Sequence, residues 1–171
     1  SFMGPRLAYS RPVFLRWLPK AAYGIVHEAT RHILKRPVVG IAAVARTPDG
    51  RFLLIRRGDN GMWCLPGGTL EWGETLRTGL GRELEEEAGV VEHELMRVLG
   101  AWSDPMRDPR FHAVTIGVEC RVAPPAKPPK NPLEIREAKL FAEHELPERL
   151  AFGLEDILNA ARSGASGGVL E

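Results

Sequence analysis

Three acids at i, i+3 and i+4, Glu83, Glu86 and Glu87, are the residues in this 171-residue chain best spaced to do chemistry together. On a helix turning about 100° per residue they share an arc roughly 100° wide, while Glu85 points away from it. Leu76, Leu80, Leu84 and Ala88 form an apolar stripe beside them, which predicts that the acids lie near the buried edge of the helix. Like charges that close repel, and desolvation strengthens the repulsion, so something positive must offset them. An all-carboxylate set suits a hard cation, above all Mg²⁺, which keeps waters and shares phosphate oxygens. Arg82 can grip one further carboxylate through two hydrogen bonds, and Glu74 at the helix start is its natural partner. On its own, a run reading ELEEEA more often marks a solvated helix face.

The surrounding string reverses those odds. From Gly68, five residues lead to Glu74, seven more lead to Arg82, and Arg-Glu-Leu-x-Glu-Glu-x-Gly-Val follows without a gap. This resembles the Nudix box, G-x5-E-x7-R-E-U-x-E-E-x-G-U with U apolar, at every fixed position. WCLPGG ahead of it and LEWGET inside it are also similar to Nudix sequences, and the order of elements from about Arg36 to Ala161 fits a whole domain of that family. The resemblance implies an α/β/α sandwich with a mixed β-sheet. It implies a Mg²⁺-dependent hydrolase, with Mn²⁺ as a substitute, that cleaves the diphosphate linkage of a nucleoside diphosphate derivative. It further implies that Glu83, Glu86, Glu87 and the backbone carbonyl of Gly67 hold metal, and that the Glu74–Arg82 pair orients loop and helix. Gly67 and Gly68 let the backbone approach metal and phosphate closely. One departure is Gly79, where the family commonly has alanine, with Gly81 two residues on. Each glycine costs a helix about 1 kcal/mol against alanine, so either close packing demands Gly79 or the helix is soft.

Diphosphate hydrolysis also needs a general base near the metal. Glu134 is favoured because it follows the proline-rich loop and opens the strand where, by the resemblance, Nudix sequences often place an acid near the metal; Glu83 is the other candidate, and Glu119 and Glu137 are further late acids. For substrate, WSDPMRDPRFH at 102–112 sets Arg107 and Arg110 beside Asp104 and Asp108, as a clamp for phosphate or ribose or as a salt-bridged turn. The segment is similar to one in Nudix enzymes acting on ADP-ribose and nucleotide sugars. Trp63, Trp72, Trp102 and Phe111 are candidates to stack on a base, and His112 to donate to phosphate, each against an ordinary packing role. The competing functions are a house-cleaning nucleoside triphosphate pyrophosphatase and a non-catalytic Nudix nucleotide sensor. Sensors usually lose box glutamates, and this chain keeps all of them.

The elements that must position these residues read as an α+β or α/β pattern rather than a regular βαβ alternation. Val38–Ala45 and Phe52–Ile55 flank TPDG and predict a hairpin of two largely buried strands. The acidic helix is expected from about Glu74 to Ala88, with Gly89 as a left-handed cap. Leu95–Trp102 is expected as a strand, and Val114 to Val122 alternates cleanly between apolar and other residues. PPAKPPKNPL at 124–133 predicts an extended, mobile loop, Ile135–Phe141 a strand, and Leu154, Ile157, Leu158 and Ala161 an amphipathic closing helix. The domain is expected at 36–164, followed by a disordered tail at 165–171.

A formal charge of +1 gives no whole-chain case for nucleic acid or membrane as a partner, which leaves a small-molecule nucleotide. Residues 1–35 are expected to form a helical, basic extension: Arg6, Arg11, Arg16, Lys20, Arg31, Lys35 and the adjoining Arg36 stand against Glu28 alone. A packing role or a homodimer contact is the favoured use for it, against acidic lipid or nucleic acid. Two cysteines without metal-finger spacing, and the lack of an apolar run long enough to span a bilayer, predict a cytoplasmic protein.

Overall fold

The structure, a computed structural model, describes residues 36–164 and 168–171. The expected helices and dimer role of residues 1–35 lie outside the described residues. Strands β1 (Val38–Arg46) and β2 (Phe52–Arg57) form the expected hairpin, with Gly50 at φ 85 supplying the left-handed corner of the TPDG turn. Ile41–Ala45 and Phe52–Ile55 are buried without interruption. Unbroken burial along a strand requires cover on both faces, and two helices supply it.

The hairpin is forked, and the fork positions the chemistry. β1 and β2 pair only near the turn, at Ala45–Leu53 and Arg46–Phe52, and then part. The next segment fills the gap. β3 (Trp63–Cys64) pairs with β2, and β4 (Gly67–Thr69) pairs with β1 from Ala42–Gly67 to Gly40–Thr69. Along its other edge β1 runs parallel to β6 (Ala113–Val122) over its whole length, from Val38–Ala113 to Arg46–Arg121. β6 pairs antiparallel with β5 (His93–Trp102), and β7 (Ile135–Phe141) pairs antiparallel with β2. The result is the mixed sheet that the resemblance implies.

Helix α1 (Leu76–Ala88) starts two residues later than expected, because Thr75 Oγ1 caps it by accepting from the Thr78 N–H at 3.2 Å. Leu80, Leu84 and Ala88 are fully buried, but Leu76 in the first turn is 37% exposed and does not belong to the stripe. Gly79 is closely packed: a Cβ there would meet Leu70 Cδ2 at 2.6 Å, which that flexible side chain would have to yield, and Glu74 Oε2 at 3.2 Å, which Arg82 holds in place. Gly89, at φ 66, ends the helix. The proline-rich loop expected to be mobile is tied to that end. Ala126 N–H donates to Gly89 O at 2.9 Å, Lys130 N–H donates to Glu86 O at 2.7 Å, and Lys127 pairs with Glu85.

On β6, Val118, Cys120 and Val122 are buried as the alternation predicts. The opposite face is not all open, since a Cβ on Gly117 would meet Trp102 Cζ3 at 2.6 Å and Ile157 Cγ2 at 2.7 Å. Ile157 belongs to helix α2 (Glu155–Arg162), which buries Ile157, Leu158 and Ala161 as expected. The tail needs correction. Val169–Leu170 forms β8, parallel to β5 at Gly100–Ala101, and Glu171 accepts from the N–H groups of Ser103 and Asp104 at 2.9 Å each. Gly100 permits this approach, because a Cβ there would strike Val169. Among the described residues no helix is long and apolar enough to cross a membrane, and both cysteines are free and buried.

Candidate active site

The fork delivers Gly67 and Gly68 to the side of α1. Gly67 sits at φ 151, and a Cβ on it would run into the backbone of Ile41 and Ala42. Its N–H donates to Glu87 Oε2 at 2.8 Å. A Cβ on Gly68 would fall on the Glu83 carboxylate, 2.8 Å from its Cδ. Gly67 is therefore required by the backbone of β1, and Gly68 leaves room for the Glu83 carboxylate on α1.

Glu83, Glu86, Glu87 and Glu134 line one cleft, together with Arg82, Lys130, Asn131 and Ile135. Glu87 is only 8% exposed, and burial pushes its carboxyl up to about 8; the charges of Glu83 and Glu134 add to the rise and the Gly67 N–H opposes it. Glu83 is also raised, first by burial, while Arg82 pulls it back. Glu74 and Arg82 form the two-point pair expected of them, Nε to Oε1 at 2.8 Å and Nη2 to Oε2 at 3.0 Å. That pair holds the Glu74 carboxyl down at about 2. Arg82 also donates to Glu83 Oε1 at 2.9 Å and to Thr69 O at 3.2 Å, so one guanidinium joins helix, loop and β4.

The donor set fits a hard divalent cation: three carboxylates on one arc, buried enough to repel, beside a backbone that comes within reach only because it carries no side chain. Among the described residues no three acidic, histidine or cysteine side chains converge as a ready-made cage. Each acid is held by its own donor: Glu83 by Arg82, Glu86 by Lys130 Nζ at 2.5 Å, and Glu87 by the Gly67 N–H.

Of the base candidates, Glu134 stands in the acidic cleft. Glu119 pairs with Arg97 at 2.7 Å and Glu137 with Arg56 at 3.3 Å, and neither lines it. A second cleft, with about 720 Å³ of open space, runs from Gly67, Gly68 and Thr69 along β1 to Arg57, Arg107, Arg110, Phe111 and Phe152. Arg107 and Arg110 line it, as the sequence anticipates, but both are engaged. Arg107 donates to Gly153 O at 2.7 Å and pairs with Asp156 and Glu171; Arg110 is gripped twice by Asp108. Trp72 is fully exposed and lines neither cleft, so its aromatic face meets solvent rather than a base site. His112 is exposed and spends Nε2 on Ser103 O at 2.8 Å, which is a structural role. Trp102 is 3% exposed and forms part of the cleft wall, and Trp63 packs edge-on against Phe141.

Sequence reasoning missed Arg57, Lys130 and Phe152. Arg57 merely ends a strand and Lys130 sits in a loop without apolar pattern. Phe152 carried one faint signal, an aromatic followed by glycine just ahead of a helix.

A sequence model of the NUDIX domain matches residues 35–161. An ADP-ribose pyrophosphatase from Methanocaldococcus jannaschii is 35% identical over 132 residues, which cover 71% of this chain and 71% of that protein. A NUDIX hydrolase from Nitrosomonas europaea shares the fold at a TM-score of 0.64 and 25% identity, over 80% of this chain and 77% of that one. The NUDIX domain of Shewanella oneidensis NrtR, solved with ADP-ribose, does so at a TM-score of 0.61 and 22% identity, over 86% and 99% of the two chains. The chain belongs to the NUDIX family. Its 35% identity to a pyrophosphatase over 71% of both chains places it with the pyrophosphohydrolases of that family.

Proposed function

We propose that this protein hydrolyses the diphosphate linkage of ADP-ribose or a nucleotide sugar, with Mg²⁺ as cofactor, and releases a nucleoside monophosphate. The observation that carries this reading is the cleft lined by Glu83, Glu86, Glu87 and Glu134, whose most buried acid is bonded to Gly67. The 35% identity to an ADP-ribose pyrophosphatase supports the substrate class.

Glu83, Glu86, Glu87 and the Gly67 carbonyl would hold Mg²⁺, or Mn²⁺ in its place. The bound ion supplies charge neutralisation on the diphosphate and makes water a better nucleophile. The chain supplies geometry and proton transfer. Glu74 and Arg82 fix β4 against α1, so that Gly67 and Gly68 present backbone to the diphosphate. Glu134 accepts the proton of the attacking water, since it is exposed in the acidic cleft, whereas Glu83 is engaged by Arg82. Both buried free thiols suit a reducing cytoplasm.

Incubation with ADP-ribose, a nucleotide sugar and a nucleoside triphosphate in Mg²⁺, with products identified, tests the reading. Nucleoside monophosphate plus sugar phosphate is expected. Pyrophosphate from the triphosphate alone would reassign the protein to triphosphate clearance, and binding without turnover would make it a sensor.

A further inference from the structure

Phe152 is the one non-glycine residue with positive φ among the described residues, at φ 60 and ψ 24. A left-handed backbone costs a bulky residue about 1–2 kcal/mol, and glycine or asparagine would take the corner more cheaply. The turn Ala151–Gly153 is held in that shape from outside. Arg107 Nη1 donates to Gly153 O at 2.7 Å while its other nitrogens pair with Asp156 and Glu171, which ties the loop after β5, the entry to α2 and β8 to one guanidinium. Strain maintained by a rivet of this kind points to use of the side chain it displays.

The ring belongs to the wall of the second cleft, the one that runs along β1 from Gly67 and Gly68. Two guanidinium carbons lie over it, Arg110 at 4.5 Å and Arg57 at 4.9 Å from the centroid. Each arginine is gripped in two-point fashion by an acid, Arg110 by Asp108 and Arg57 by Asp59. The cluster is thus close to charge-neutral, and what it offers is flat π and guanidinium surface rather than a field for phosphate. Flat, polarisable surface of this kind recognises the face of a heterocyclic base. The other end of the same cleft is the Gly67–Gly68 edge, so a base here would leave the diphosphate near the acids.

We infer that Phe152, with Arg57 and Arg110, forms the nucleobase subsite of the nucleoside diphosphate substrate, and that Arg107 is the positioning residue that holds Phe152 there. This rests on the proposed substrate class. Of the two sequence readings of Arg107, a substrate clamp and a salt-bridged turn, its bonds favour the second.

The test is calorimetric titration of the full chain in Mg²⁺ with AMP and with ribose 5-phosphate, which lacks the base, alongside turnover of ADP-ribose. Phe152→Leu is expected to weaken AMP about tenfold, ~1.4 kcal/mol, with ribose 5-phosphate affinity and melting temperature unchanged. Phe152→Tyr, which keeps a π face, is expected to retain AMP affinity. Arg107→Ala is expected to weaken AMP and raise KM with little change in kcat, and Arg107→Lys to restore part of the loss. Equal weakening of AMP and ribose 5-phosphate by Phe152→Leu would make the ring ordinary packing and overturn the subsite. A wild-type protein that binds AMP no better than ribose 5-phosphate would overturn it too. If AMP behaves as expected but ADP-ribose is not cleaved, the substrate assignment fails and the base subsite stands.

Discussion

The N–H of Gly67 donates to Oε2 of Glu87 at 2.8 Å, and so joins the forked sheet to helix α1 through a carboxylate that is 8% exposed. The bond is too little to keep that carboxylate charged, and burial pushes it from 4.5 up to about 8.

Glu87→Gln should therefore separate stability from activity. A group whose folded pKa is raised stabilises fully below its unfolded value and loses that contribution as pH rises through the folded one. In the metal-free protein this loss runs from 4.5 to about 8. Wild type and variant should melt alike near the acid end, and the variant should gain steadily above it, by at most about 5 kcal/mol. Turnover with Mg²⁺ should fall at least ~100-fold. Near-normal turnover, measured beside melts across that pH range, would count heavily against the metal assignment.

The same proton links to the cation. If Glu87 binds Mn²⁺ it must shed its proton, so affinity should rise with pH and level off above about 8, with proton release on binding. Titration in buffers of differing ionisation enthalpy would show this. Affinity that is flat across the interval would remove Glu87 from the ligand set.

Lys130 holds Glu86 at 2.5 Å and thereby competes with any cation that needs the same carboxylate. The pair is exposed to solvent, which screens it and keeps its contribution small. Lys130→Ala should accordingly tighten Mn²⁺ by up to about fivefold. Weaker binding in the variant would show that Lys130 supports the site instead.

Arg82→Lys keeps the charge and loses the two-point grip on Glu74 and the bond to Thr69. A loss of about 10–100-fold in kcat is expected, as for other residues that orient metal ligands, with only a small fall in melting temperature. Glu74, depressed to about 2, contributes stability above 4.5 that fades as pH falls towards that value. The variant should show a flatter acid limb in its melts. An unchanged kcat would mean the pair is ornamental to catalysis.

How much of this was visible in the residues depended on the range of the interaction. The arc of three acids follows from helical periodicity, which is local, while the Glu74–Arg82 pair and the Gly89 cap are legible from a helix start and a terminal glycine; the structure brings the acids to one cleft and joins the pair. Gly79 needed Leu70 against it before its role could be chosen. Arg107 was read by its neighbours in sequence, Asp104 and Asp108, whereas its bonds go to Gly153, Asp156 and Glu171 far along the chain. Lys130 and the proline-rich loop were read as free because composition carries no record of what a loop docks on. Trp72 was drawn towards the cleft by its position inside the box, yet the loop turns it to solvent.

The unequal length of the two ladders on β1 bears on how the protein wears out. β6 is stitched to β1 along its entire run, whereas β4 clings to it only between Gly40–Thr69 and Ala42–Gly67. Short ladders open at lower free energy than long ones. On gentle warming, amide exchange at Gly67–Thr69 should accelerate first, and catalysis should fade while circular dichroism still reports an intact sheet.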